Sequence, residues 1–446
     1  MKHLSVPLFV AYGVAAAAIL LEPSDAERST LWDTVLPFIH DIDNAISPAK
    51  AHIDSFSRSF EDLGQNAVEQ RISIADRLDV LKDVAGEALD IGNHDHSRPN
   101  LTIYEYIKSS NYTTKFASLV DEYKGLIDLL NGTDATNYTL FVPVNEAFDG
   151  IPNDPKNKPS KEALEALLKY HIGVGEYPAS SILTTNTIPT VFEEAWLGGD
   201  HQRLRTSVGL SGVRINFYSK VVAANIGATN GVIHAVGSVL KPPPMIGRVL
   251  SLFPSEFSTL LLAYEKTNFV QFIHNVKLVG STVFAPSNNA FSALGPKANA
   301  FLFNTEKGRG YLKALLKYHI VANATLYSDA FYDKTGNDVG DEGGKKEHFD
   351  LVTLLDGTHI SVDRSTFAGF TSIKVNGYAK VSIRDGVGKN GVIHVVDKVP
   401  IPPRNKAEAS SQTNDLDGQL TVEELVERLD PYMDGSVEPE LTGLEL

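Results

Sequence analysis

Two tyrosine–histidine pairs, Tyr170-His171 and Tyr318-His319, and two more histidines, His234 and His394, are the side chains best suited to chemistry. An imidazole titrates near neutrality, so it can move a proton, ligate a metal or bind a partner. Nucleophilic or hydrolytic catalysis needs company, and none accompanies these residues. The chain contains no Gly-x-Ser-x-Gly elbow and no His-Glu-x-x-His pair. The absence of cysteine excludes thiol catalysis, disulfides, cysteine-based zinc sites and iron–sulfur clusters. Each Tyr-His pair therefore reads either as a hydrogen-bonding element at a helix end or as a recognition contact. His234 and His394 lie in apolar runs and read as structural.

Other constellations are weaker. Gly386-Val-Gly-Lys-Asn-Gly391 fits a dinucleotide-binding pattern. That chemistry needs glycines opening a helix, whereas these lead into the strand-like Val392–Val396, so a hairpin turn is the better reading. His94-Asp95-His96 has no partner cluster and reads as linker, while Glu193-Glu194 and Asp341-Glu342 read as solvated acids. Near the end, Asp415, Asp417 and Glu424 occupy the third, fifth and twelfth places of a calcium loop whose first place is Thr413. The rival reading is an acidic helix beginning at Thr421, with Glu424 completing a capping box.

The elements that position these residues occur twice. Tyr138-Thr-Leu-Phe-Val-Pro-Val-Asn-Glu-Ala-Phe148 parallels Ser281-Thr-Val-Phe-Ala-Pro-Ser-Asn-Asn-Ala-Phe291. Ala166–Ile172 parallels Ala314–Ile320, and Asn230–Val236 parallels Asn390–Val396. Three motifs in one order describe a duplicated domain, since their spacing far exceeds a solenoid repeat. The first motif predicts a buried strand ended by proline, then a helix capped by Ser287 in copy two and by Asn145 in copy one. Lys161–His171 predicts an amphipathic helix. Val221–Ile226 and Val232–Val236 predict a hairpin whose Asn230-Gly231 turn supplies positive φ angles, with Ala379–Arg384 and Val392–Val396 its counterpart. The second copy carries a hydrophilic insertion, Lys334–His348.

These motifs resemble those of the fasciclin domain, over about residues 101–244 and 247–403. The first copy departs at Val144, where the family usually has Thr or Ser. The resemblance implies an α+β fold of two tandem fasciclin-like domains, each a twisted β-wedge packed with several helices. It also implies extracellular adhesion, as in an insect neural adhesion protein, periostin and related matrix proteins, plant arabinogalactan proteins and fungal surface proteins. In some animal relatives the Tyr-His region is implicated in integrin binding. Tyr170, His171, Tyr318 and His319 are therefore candidate binding residues.

Around the repeats lie three further segments. Met1-Lys2-His3 followed by the apolar Leu4–Leu21 has the form of a signal peptide, cleaved after Ala18 or as late as Ala26. Residues 27–100 form a helical lead segment and linker, which could pack on the first domain, self-associate or be removed. Residues 404–446 form an acidic tail with 11 acids against 3 bases. Sequons at Asn100, Asn111, Asn131, Asn137 and Asn323 agree with a secreted glycoprotein. The net charge of -15 argues against nucleic-acid partners, and no later segment is long enough to span a bilayer. The favoured function is a secreted, cell-surface or cell-wall adhesion protein binding protein or glycan partners, without catalysis and with no cofactor; a vacuolar address is also compatible. The alternatives are a hydrolase using the repeat histidines and a calcium-responsive binder acting through the tail.

Overall fold

A computed structural model describes residues 100–132, 137–149, 151, 159–182, 184–209, 212–333, 346–367, 370–403 and 421–432. The expected signal peptide, the lead segment apart from Asn100, His94-Asp95-His96, Asp341-Glu342, Asp415 and Asp417 lie outside them.

The first repeat begins with three short helices: α1 (Ile103–Ser109), α2 (Thr114–Val120) and α3 (Lys124–Asn131). Their apolar faces, including Ile103, Ile107, Phe116, Leu126 and Leu130, bury against Leu140, Val142 and Ile233 of the sheet. Strand β1 (Tyr138–Pro143) then enters the middle of the domain, as its apolar sequence requires. Helix α4 (Lys161–Tyr170), capped by Ser160, leads to β2 (Ile172–Val174). After the single turn α5 (Ala179–Ile182) come β3 (Thr187–Glu194), β4 (Asp200–Gly209), β5 (Gly212–Ile215), β6 (Ser219–Ala228) and β7 (Gly231–Val236). The first strand pairs parallel with the last, Phe141 opposite His234, and the seven strands close into a barrel.

The second repeat follows the same plan. Helices α6 (Ile246–Ser251), α7 (Pro254–Lys266) and α8 (Phe269–His274) precede β8 (Ser281–Pro286). Then come α9 (Asn288–Ala293), α10 (Pro296–Asn304), α11 (Glu306–Tyr318), β9 (Ile320–Ala322), β10 (Ala324–Leu326) and β11 (Phe331–Asp333). Strands β12 (Lys346–Val352), β13 (His359–Phe367), β14 (Phe370–Val375), β15 (Ala379–Gly388) and β16 (Gly391–Val396) complete it. Seven of these form one sheet, with β8 again parallel to the closing strand and Phe284 opposite His394. The α+β architecture of two tandem repeats is thus the expected one. The glycine-rich Gly386–Gly391 segment is the expected hairpin between β15 and β16. Strand β12 corrects the expected insertion, because Lys346–His348 are paired strand residues and not loop.

Two local expectations are overturned. Ser287 caps α9 through the Ala290 amide as predicted, but Asn145 is itself the first residue of the one-turn 3-10 helix Asn145–Phe148, whose N-cap position falls to Val144 without a side-chain bond. Its side-chain amide instead joins a different helix, donating to the Asn111 carbonyl at 2.8 Å and accepting from the Lys115 amide at 3.0 Å. Asn288 does the same between the Ser255 carbonyl and the Thr259 amide, at 2.8 Å each. In both repeats an asparagine side chain thereby bridges a backbone carbonyl and the amide four residues after it.

The Asn-Gly turns also work otherwise than expected. Gly231 has a φ of 149°, but Asn230 is not among the residues with positive φ. A Cβ on Gly231 would stand 1.9 Å from the Tyr138 carbonyl, and one on Gly391 would stand 2.0 Å from that of Ser281. Glycine is needed for this close backbone approach to the first strand. Asn230 is needed for its side chain, which accepts from the Ile103 amide and donates to the Leu130 and Gly132 carbonyls.

A final helix, α12 (Val422–Leu429), packs on α10 and α11 with Leu425 and Leu429 fully buried. No helix among the described residues is long and apolar enough to cross a membrane.

Candidate functional site

Each Tyr-His pair ends the helix before the second strand, and that position turns both side chains inward. Tyr170, His171, Tyr318 and His319 are all buried. The Tyr170 hydroxyl donates to the Arg203 carbonyl at 3.0 Å and accepts from Asn216 Nδ2 at 2.8 Å. Tyr318 repeats this with the His359 carbonyl at 3.2 Å and Asn376 Nδ2 at 3.0 Å. Burial raises both phenols well above their ordinary range, so both stay protonated within the cores.

His171 Nδ1 donates to the Leu167 carbonyl at 2.8 Å, and Nε2 accepts the Leu240 amide at 2.9 Å. Burial lowers its pKa to about 4, partly opposed by the carbonyl bond, which fixes the neutral ring. His319 likewise falls to about 4 through burial, and its Nδ1 donates to Leu315. Its Nε2 has no hydrogen-bond partner, for a reason visible in sequence. The position matching Leu240 is Pro400, which has no amide proton to give. The second histidine set is also internal. His234 Nε2 donates to the Tyr177 carbonyl at 2.9 Å and His394 Nε2 to Leu326 at 2.6 Å, while the rings stack on Phe141 and Phe284. The four imidazoles are therefore clamps, and a partner docking on the folded surface would not touch them.

The other expected sites separate further. Glu193 is exposed, but Glu194 is buried and caps the Trp196 amide at 3.2 Å, so that acid is not solvated as expected. Its burial follows from its place at the end of β3, beneath the turn Ala195–Leu197. Glu424 accepts the Thr421 amide at 3.1 Å in a capping box, which is the acidic-helix reading of the tail. Among the described residues no three metal-capable side chains come together. Asn100, Asn111, Asn131 and Asn137 are exposed, and Asn323 is half-buried.

Between the repeats lies a polar cluster that none of the motifs signalled. Arg203 of β4 is almost wholly buried, its Nε donating to Thr187 Oγ1 at 2.6 Å and its Nη1 to the Tyr332 hydroxyl. Its guanidinium lies 5.4 Å from the Tyr327 ring centroid and 5.6 Å from that of Tyr332. Asp329 stands 3.8 Å from Arg203 and accepts the Asn186 and Thr187 amides at 3.1 and 2.7 Å. Burial raises the Asp329 pKa, while Arg203 opposes that shift. Arg205 Nε adds a bond to the Arg384 carbonyl at 2.9 Å, and Gln202 one to Gly388 at 3.3 Å. The signal available in sequence was a pair of arginines, Arg203 and Arg205, alternating along one largely polar strand, without any sign of where their partners lay. The cluster joins the two repeats and presents no nucleophile to solvent.

Comparison with known proteins gives a family model, the fasciclin domain, matching residues 111–242 and 255–402. "Aurofusarin biosynthesis cluster protein S" of Gibberella zeae is 30% identical over 364 residues, 75% of this chain and 87% of that protein. Human periostin is 27% identical over 302 residues, covering 66% of this chain but 31% of its own length. Among solved structures, a FAS1 domain pair from the insect cell adhesion molecule fasciclin I matches with 21% identity and a TM-score of 0.31, covering 65% of this chain and 96% of that one.

Proposed function

The chain belongs to the fasciclin-domain family, and from that premise we propose that it is an exported, non-catalytic adhesion protein that binds cell-surface or matrix proteins or glycans. The supporting observation is the internal position of the repeat tyrosines and histidines: the side chains best suited to chemistry are engaged within the cores. Binding then falls to the outer surfaces of two domains held together by the Arg203 cluster. The fasciclin domain is a module of adhesion and matrix proteins, periostin among the relatives. The test is attachment: the full chain, coated on a surface, should retain cells of its own source. Adding soluble chain should compete, and retention no better than on an inert protein would sink the reading. Cross-linking a tagged chain in its own cells would identify the partner and the compartment.

A second reading is favoured by one observation, the 30% identity along 87% of a biosynthesis-cluster protein. Under it, the same two-domain scaffold holds partners of a biosynthetic assembly. Cells lacking the chain would then attach normally and release an altered set of secondary metabolites; an unchanged set would dispose of it.

A further inference from the structure

Trp196, one of two tryptophans in the chain, stands 46% exposed on the turn Ala195–Leu197, at the edge of the first repeat. Val279, at the facing edge of the second, is 38% exposed. The Gly280 amide donates to the Trp196 carbonyl at 2.7 Å, and the adjacent Val279 amide donates to Asn323 Oδ1 at 3.0 Å. Gly280 has a φ of +69° and is pressed against the second repeat, since a Cβ there would stand 2.5 Å from Thr325 Oγ1. Two consecutive residues thus tie an exposed indole to the sequon Asn323-Ala324-Thr325. The Val279 bond uses Oδ1 of that asparagine and not Nδ2, the atom to which a sugar is joined. Asn137 differs, because its Nδ2 donates to Glu176 at 2.7 Å.

We propose that Asn323 carries an N-linked glycan whose first sugars lie over Trp196 and Val279, covering the seam between the repeats. The proposal rests on the reading of the chain as exported. In the modification, Asn323 Nδ2 bonds to the anomeric carbon of an oligosaccharide carried on a lipid diphosphate. The carbon–oxygen bond to that carrier breaks, the lipid diphosphate leaves with the electron pair, and the amide gives up one proton. A pyranose suits the place. Its C–H face can lie on the indole and the valine while its hydroxyls remain in water, so apolar surface is covered without dehydrating a polar group.

The test uses the full chain secreted from a eukaryotic host, with Trp32→Phe so that Trp196 is the sole indole. Glycopeptide mass analysis should find Asn323 occupied. Thr325→Val removes the sequon hydroxyl in nearly the same volume and leaves Asn323 in place. It should lose one glycan mass and move the Trp196 emission to longer wavelength. Thr325→Ser, which keeps the sequon, should restore both. Asn323 unoccupied in a chain glycosylated elsewhere would overturn the proposal and leave export standing. Occupancy with identical emission in all three chains would overturn the covering of the seam. A chain retained in the cytosol without any glycan would overturn export and this proposal together.

Discussion

His171 and His319 carry the clearest pH consequence. Their folded pKa of about 4 lies below the ordinary value of 6.5, so the folded chain binds fewer protons than the unfolded one between those limits. Stability is full above pH 6.5 and falls as the pH drops toward 4, by on the order of 3 kcal/mol for each ring. Melting temperatures taken from pH 7 to 4 should fall through that window, and His171→Gln should flatten part of the slope. The asparagine splices make a second residue-scale prediction. Asn145→Ala or Asn288→Ala removes three side-chain hydrogen bonds and should cost about 1–3 kcal/mol in denaturant unfolding. Asn145 was legible as a helix-associated residue, and Asn288 lay within the helix expected after Ser287. The helix each one serves was not, because a cap is read from its neighbours in sequence and these partners lie about thirty residues upstream.

Among the elements, those with strong local signals were legible: the β1 and β8 strands, the amphipathic α4 and both closing hairpins. Burial explains why, since a strand flanked on both sides is apolar at nearly every position. Strand β12 was hidden, because its polar sequence, Lys346-Glu-His-Phe-Asp350, is that of a loop until β13 pairs with it. Helix α12 was visible through its capping box, but not its docking. It buries Leu425 and Leu429 on α10 and α11, while Asp430 meets Tyr311 and Lys307 at the margin. Leu425→Ala should cost about 2–5 kcal/mol of local stability. Hydrogen exchange should rise over α10–α12 and leave the first repeat unchanged. Arg428 is buried there with Nε and Nη1 lacking partners. Arg428→Met should therefore hold or raise the melting temperature, because an apolar side chain of similar length incurs no desolvation cost.

At the scale of the whole molecule, duplication was legible and the joint was not. Motifs report what each repeat shares, whereas Arg203, Asp329 and Tyr332 do their work where the copies differ. Asp329→Ala leaves the buried guanidinium without its carboxylate, a change worth about 3–5 kcal/mol for a buried pair. Calorimetry should show the native chain melting in one transition and the variant in two, one for each repeat. A single unshifted transition in the variant would show that the joint contributes little.

The parallel pairing of first and last strands also sets a clock. β1 waits about ninety residues for β7, and β8 waits longer for β16. A chain emerging from the ribosome cannot close either sheet until its final hairpin is outside, and such non-local closure is slow. Each repeat is therefore born open. Asn323 and Thr325, which folding draws into the seam, remain within reach of modifying enzymes during that interval. The order of strands thus decides when the chain can still be altered, as well as what it becomes.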